Sequence, residues 1–298
     1  MEPAELSTEN PAHARTIYQA IEASTQSPLE NVRKPAEDLL KACEELPGYT
    51  SVLAAIAGSA RDATQDVRAA AVILLKNIVR VRWRPRGGRC HVVGEGERAA
   101  LRGFLLGQAA MEEPDERVAT QFALLTAKAA RMDWPRCWPD LFPSLVYSMV
   151  NGGRVRRERA LYTASEVLKE LTSKRVGFDK AEFIRTAREL FPVICHAWDA
   201  QWAAIEGLLG TRATGEMDAL PRGGSDAADT FALATVCIKI SRRLLMFGIP
   251  GLETPQVEPF FHGLLQRMRA IGAALSQLQS AADSGGAGAA GVPDQGQT

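Results

Sequence analysis

Four histidines and five cysteines carry whatever metal or nucleophilic chemistry this chain offers, and their spacing speaks against both. His13, His91, His196 and His262 lie far apart, and Cys43, Cys90, Cys137, Cys195 and Cys237 include no CxxC pair. Cys90-His91 and Cys195-His196 are adjacent, but sequence neighbours point in different directions on a helix, and no further Cys/His group has zinc spacing. No Gly-x-Ser-x-Gly elbow, no phosphate loop ending in Gly-Lys-Ser/Thr and no paired-His helix motif occurs. The expectation is a protein without metal, cofactor or catalysis.

Arg80, Arg82, Arg84, Arg86 and Arg89 form the one dense charge run. Such a run suits phosphates, but cations are also favoured at a helix C-terminus by the helix dipole. Aromatic residues make up only 6% of the chain, and Trp83 reads as a helix-end anchor rather than a base-stacking platform. Lys+Arg and Asp+Glu both number 35, so the formal net charge is zero, which argues against nucleic acid as a partner.

The elements that would position any of these side chains are helices. β-branched residues at period two are almost missing, whereas apolar residues recur at i, i+3, i+4 and i+7, giving about eleven helices and no sheet. The most regular runs from Thr64 to Trp83, with Val67, Ala71, Leu74, Leu75, Ile78 and Val81 on one stripe. The same spacing appears in Val32, Ala36, Leu39, Leu40, Cys43 and Leu46. It returns in Val118, Phe122, Leu125, Thr126 and Ala129, then in Ala160, Ala164, Val167, Leu168 and Leu171, and again in Asp229, Leu233, Val236, Cys237 and Ile240. A second helix fits before each copy: 12–23, 49–61, 96–112, 139–151 and 179–205.

Paired helices repeating about every 40–47 residues mark HEAT or armadillo arrays, whose units bury their faces only against neighbours. The fold expected is all-α, a right-handed α-solenoid of about five to six HEAT-type helix pairs. An irregular helical bundle would share the 3.6-residue period; the common register of the copies favours the solenoid. Length fits either two domains or one elongated array, since 298 residues stand at the upper end of the usual single-core limit of roughly 250–300. With 46% apolar and 23% charged residues, a substantial core can form.

The segment DWPRCWPDLFPSLV holds two Trp-Pro pairs. Each Pro disfavours helix at the Trp before it, and Pro is tolerated at a first helical position. One helix should therefore stop near Met132 and the next start at Pro139, with Asp140 in its first turn. Trp134 and Trp138 then plug the corner made with Pro135 and Pro139. The expected organisation is a flexible 1–10, two repeats in 11–84, a Gly/Arg-rich loop at 85–95 and repeats three to five in 96–206. A flexible loop at 207–225, further repeat helices in 226–280 and a disordered low-complexity tail at 281–298 follow. A sixth unit begins at Gln256 without a clear partner helix, so the sequence reads as the front part of a longer array.

No apolar run approaches the roughly 18–20 residues that span a bilayer, so membrane insertion is not expected. The acidic opening segment is unlike a secretory leader, and scattered unpaired cysteines suit a reducing intracellular compartment.

PAEDLLKACEELPGYTSVLAAIAGSARDATQDVRAAAVILLKNIVRVRWRP resembles the importin-β N-terminal domain. Its marks are the Ala-Glu helix start, the Pro47-Gly48 corner, the Val-Arg entry to the next helix, and Leu75-Lys76-Asn77 followed by Trp83. The DWPRCWPDLFP corner resembles that family's linker between its third and fourth repeats. Arg159 to Arg175, RALYTASEVLKELTSKR, is similar to the importin-eleven branch. The resemblance covers roughly residues 10–280.

What the resemblance implies is a nuclear transport receptor that shuttles between nucleus and cytoplasm through the nuclear pore. Its early repeats would bind the GTP-loaded form of the small GTPase Ran through their second helices. The nucleotide would belong to the partner, and cargo proteins and nucleoporins would be further partners. Carried onto this chain, the expected Ran-binding residues are Arg33, Lys34 and Glu37, then Arg68, Lys76 and Asn77, then Arg117 and Gln121. In the family, GTPase binding drives cargo release, a coupling between two sites on one superhelix. Family receptors are several times longer and usually acidic, whereas this chain is neutral. The alternative is a HEAT-repeat scaffold that joins other proteins without binding Ran.

Overall fold

The structure, a computed structural model, describes residues 11–84, 92–173, 177–213, 224–249, 255 and 257–286. Among them the chain forms twelve helices and no strand. In order these are α1 (Pro11–Gln26), α2 (Glu30–Cys43), α3 (Tyr49–Gly58), α4 (Gln65–Arg82), α5 (Glu95–Leu106) and α6 (Gln108–Met111). They continue as α7 (Glu116–Asp133), α8 (Leu141–Asn151), α9 (Arg154–Thr172), α10 (Gly177–Ala213), α11 (Gly224–Phe247) and α12 (Val257–Gly286).

Helices pair as α1 with α2, α3 with α4, α5 with α7, α8 with α9 and α10 with α11. Between pairs, α4 packs on α7, α7 on α9 and α9 on α11, which makes one layer of second helices. The first helices form the other layer, with α3 on α5, α5 on α8 and α8 on α10. α12 joins α10 through the Phe191–Phe260 ring pair, 5.5 Å between centroids, and through Arg267 stacked over Trp198 and Trp202. Each pair touches its sequence neighbours, the construction of a solenoid. The first joint is built differently, because α1 rather than α2 packs on α4.

Burial follows the repeated stripes closely in the middle of the array. Val118, Phe122, Leu125, Thr126 and Ala129 of α7 are all buried, as are Ala160, Ala164, Val167, Leu168 and Leu171 of α9. In α11, Leu233, Val236, Cys237 and Ile240 are buried and Asp229 is half-buried. The earlier copies depart from expectation. In α4 Val67, Ala71, Leu75 and Ile78 are buried, but Leu74 is half-buried and Val81 is exposed. In α2 Ala36, Leu40 and Cys43 are buried, whereas Val32 is 42% exposed and Leu39 is half-buried, as is Leu46 in the turn that follows.

Local chemistry sets the helix ends. Thr64 and Asp115 stand at the N-caps of α4 and α7, each side chain accepting from the backbone N–H three residues on, Val67 and Val118. Such caps satisfy donors that the first turn leaves orphaned. Gly48, at the start of α3, has φ 79°, a left-handed conformation that side chains resist. The helix expected over 96–112 is broken at Gly107, which turns extended between α5 and α6. A Cβ at Gly107 would lie 3.2 Å from the Gly103 and Phe104 carbonyl oxygens, so a side chain there would crowd the end of α5.

At the Trp-Pro corner α7 ends at Asp133, as expected, and the Trp134–Pro135 peptide is cis. α8 starts at Leu141, two residues later than the proline rule suggests. Pro139 and Asp140 instead belong to a turn in which the Leu141 N–H donates to the Trp138 carbonyl. Trp134 and Trp138 are buried, and Trp134 makes edge-to-face contacts with Phe142 and Phe183 at 5.4 and 6.4 Å.

The segments read as loops are partly helical. α10 runs through Ala213 and α11 starts at Gly224, so the span 207–225 is helical at both ends; its residues 214–223 lie outside the described residues. α12 extends to Gly286, into the span 281–298 read as a tail; residues 287–298 lie outside, as do 1–10. In the span 85–95 only Val92 onward is described, and buried Val93 donates its N–H to the Arg82 carbonyl at 3.0 Å. No helix of the described residues is long and apolar enough to cross a membrane.

Candidate partner-binding face

Each second helix keeps one stripe out of the core. On α4 that stripe holds Asp66, Ile73, Asn77 and Arg80, all exposed, with Lys76 half-buried at its edge. On α7 it holds Glu116, Arg117 and Thr120, with Gln121 half-buried. These two stripes meet across the α4–α7 joint. Lys76 Nζ donates to Gln121 Oε1 at 2.8 Å, and Arg117 pairs with Asp66 at 3.2 Å. The second pair is more than half exposed on both sides, so water screens it and its contribution is small. Asn77 stands beside Lys76 with its side chain in solvent.

Arg68 was expected on this face and is not there. It is 5% exposed and directed into the array, where its Nε donates to the Ala57 carbonyl at 2.9 Å and its Nη2 pairs with Glu113. α4 is packed by α1, α3 and α7, so the buried arc of the helix is wider than one apolar stripe and takes in position 68. The resulting anchor is shared further. Glu113 also accepts from the Asp115 N–H, and Arg159 of α9 donates to the Glu113 and Pro114 carbonyls. One short loop thus joins second helices of three successive repeats.

The α2 residues stand apart. Arg33 and Glu37 pair with each other along the helix at 3.5 Å, and Lys34 is exposed. No hydrogen bond or ion pair among the described residues links Arg33, Lys34 or Glu37 to α4 or α7. The structure therefore gathers Lys76, Asn77, Arg117 and Gln121 in one place and leaves the α2 set as a separate group.

Two members of the arginine run, Arg82 and Arg84, are tied within the fold. Arg82 pairs with Glu44 and Glu45 at 3.5 and 3.2 Å. Arg84 donates to the Met132 carbonyl and to Asp133 at the end of α7. Asp133 is 1% exposed and is also paired with Arg102 at 2.6 Å. Arg80 stays exposed, and Arg86 and Arg89 lie outside the described residues.

Of the corner residues, Trp134 and Trp138 are buried, with Trp134 against Phe142 of α8 and Phe183 of α10, while Pro135 is half-buried and Pro139 exposed. Farther along, α7 and α9 leave a groove of about 340 Å³ lined by Glu116, Ala119, Thr120, Tyr162, Glu166 and Lys169. Burial and the Glu116 carboxylate push the Tyr162 phenol above its ordinary value. Among the described residues no three His, Cys, Asp or Glu side chains are grouped to hold a metal ion. Cys195 and Cys237 are both pushed up to about 12, chiefly by burial, so neither is an activated thiolate.

The sequence reading missed the ties that hold the repeats together: Arg68–Glu113, Lys76–Gln121, Arg84–Asp133, Lys128–Glu170 and Arg156–Glu112. Their partners are 42 to 49 residues apart, which is one repeat. That offset is the signal that was there to find.

Residues 36–108 match the importin-beta N-terminal domain. This stretch runs from α2 to α6 and contains Arg68, Lys76 and Asn77, while Arg117 and Gln121 follow it. Importin-11 of Mus musculus is 32% identical over 241 residues, covering 80% of this chain and 23% of that protein. Importin-11 of Homo sapiens is 31% identical over 259 residues, covering 86% and 25%. The fold is similar to that of the exportin Cse1 in its cargo-free, cytoplasmic state, with a TM-score of 0.61, 16% identity, 87% of this chain and 25% of that chain covered. The chain spans about a quarter of the length of these relatives. It is an all-α stack of HEAT-type helix pairs that carries an importin-beta N-terminal domain, and it belongs with the importin-beta family.

Proposed function

We propose that this chain is the GTPase-binding part of a nuclear import receptor, and that it takes Ran in its GTP-bound form on the second-helix face of α4 and α7. The observation that carries the reading is the match of residues 36–108 to the importin-beta N-terminal domain, with Lys76 and Asn77 of that stretch turned out of the core. The local arrangement supports it. Lys76, Asn77, Arg117 and Gln121 present hydrogen-bond donors and two cationic groups, beside the carboxylates of Asp66 and Glu116, on one side of the α4–α7 joint, a surface suited to steering and orienting a charged protein partner. Arg33, Lys34 and Glu37 on α2 form a second, smaller contact area. Arg68 has a structural role. The chain acts by binding, with no catalytic step, and the receptor moves between cytoplasm and nucleus with cargo proteins and nucleoporins as its other partners.

The test is capture of the purified chain by Ran locked in its GTP form, with Ran-GDP as control, before and after Lys76→Glu. GTP-selective capture that weakens with Lys76→Glu while the melting temperature holds supports the reading. Equal capture by both nucleotide states, from a folded chain, removes it and leaves a HEAT scaffold for other proteins.

A further inference from the structure

Four ties cross the α4–α7 joint, and they differ in how they treat charge. Arg68 ends on the carboxylate of Glu113, Arg84 on that of Asp133, and Arg117 on that of Asp66. Lys76 ends on the amide oxygen of Gln121. A neutral acceptor fixes the ammonium in place without cancelling its charge, and uses one of its three donors. Among the described residues, Lys76 is therefore the cation tied across this joint by a neutral oxygen rather than by a carboxylate.

We infer that Gln121 is a positioning residue: it holds the Lys76 ammonium ready for a carboxylate on the docked partner. The inference rests on the GTPase-binding reading above. A free lysine has to give up its rotamer freedom when it binds, whereas one already tethered gives up less. An acidic residue in place of Gln121 would tether Lys76 equally well but neutralise it, so a Gln is what this role demands. Half-burial of Lys76 and Gln121 keeps the tether partly shielded from competing water.

The test is affinity for Ran-GTP together with thermal stability for the wild type, Gln121→Glu and Gln121→Ala, each repeated with Lys76→Met. Gln121→Glu is expected to keep or raise the melting temperature while weakening binding by up to about fivefold, the range of one partly exposed charge contact. In the Lys76→Met background the same change is expected to have no further effect on affinity. A Gln that served only to join the repeats would instead give affinity that follows stability. Wild-type affinity in Gln121→Glu, or an equal loss with and without Lys76, overturns the inference while leaving the GTPase reading intact. Absence of GTP-selective binding by the wild type overturns both. Should Gln121→Glu fail to fold, Gln121→Ala is read in its place, with a loss of affinity expected only when Lys76 is present.

Discussion

Arg68 and Glu113, 45 residues apart in sequence, form an ion pair with side chains 6% and 1% exposed. The pair is fully equipped with hydrogen bonds: the guanidinium also donates to the Ala57 carbonyl, and the carboxylate also accepts from the Asp115 N–H. Because Arg159 is held by the carbonyls of the same loop, the pair marks the point where three repeats are fastened together.

Removing one member of this pair strands the other charge in the core. Glu113→Ala is expected to lower unfolding stability by about 3–5 kcal/mol, because the remaining guanidinium loses its counterion away from water. The double replacement Arg68→Met with Glu113→Leu is expected to recover most of that loss, since a buried pair often exchanges for apolar residues at little cost. Urea denaturation of the two variants measures both. A loss below about 1 kcal/mol for Glu113→Ala, the range of exposed pairs, would contradict the burial assigned here.

Leu75 is 0% exposed, while Leu74 is half-buried at the rim. Leu75→Ala is expected to cost about 2–5 kcal/mol and Leu74→Ala less than half as much, in line with the smaller area removed from water. On α2, Val32→Ser is expected to stay within about 0.5 kcal/mol of wild type. Thermal melts that rank Leu74 above Leu75 would rotate the helix.

These two errors of reading, Arg68 taken as exposed and Val32 as buried, have one physical origin. A stripe of apolar residues predicts one buried arc of fixed width, but the arc depends on how many helices pack around it. α4 is enclosed by three and buries Arg68 beside Val67; α2 packs chiefly on α1 and leaves Val32 in water. α7 and α9, each packed by four helices, bury every position of their stripes and further residues beside them, such as Ala119, Ala123, Ala127, Thr163 and Ser165. Lys76 and Asn77 were legible through the family resemblance, and Gln121 through its place on the exposed side of α7. Their relation was not legible, because a charge and its partner one repeat away look like two solvated residues until the helices are stacked. The break at Gly107 was hidden for another reason: Gly103 in the same span is accommodated inside α5, and a Gly within a helical pattern does not by itself mark an end.

Acid should loosen the start of the third repeat. The Arg102 hydrogen bond, helped by the nearby Arg98 and Arg84 charges, holds the Glu95 carboxyl below the usual carboxylate range. A lowered folded pKa adds stability above the ordinary value, and that stability is lost as pH falls through the lowered one. Glu95 is well exposed, so the effect is modest. Melting temperatures measured between about pH 6 and about pH 3, the span in which carboxylates titrate, are expected to fall less steeply for Glu95→Gln than for wild type. Parallel curves for the two proteins would remove Glu95 from the acid response.

Cysteine labelling reports directly on the packing of α10 and α11 against their neighbours. Cys137 is exposed at the Trp-Pro corner, Cys43 and Cys237 are 0% exposed, and Cys195 is half-buried. With the Cys195 and Cys237 thiols pushed up to about 12, only about one molecule in 10⁵ carries either thiolate at neutral pH. Iodoacetamide is therefore expected to modify Cys137 in the native chain within minutes and to reach Cys43 and Cys237 only after denaturant is added. Mass spectrometry of the digested protein identifies each site separately. Equal native labelling of Cys137 and Cys237 would mean that α11 does not pack as described, since burial alone makes its thiol inert.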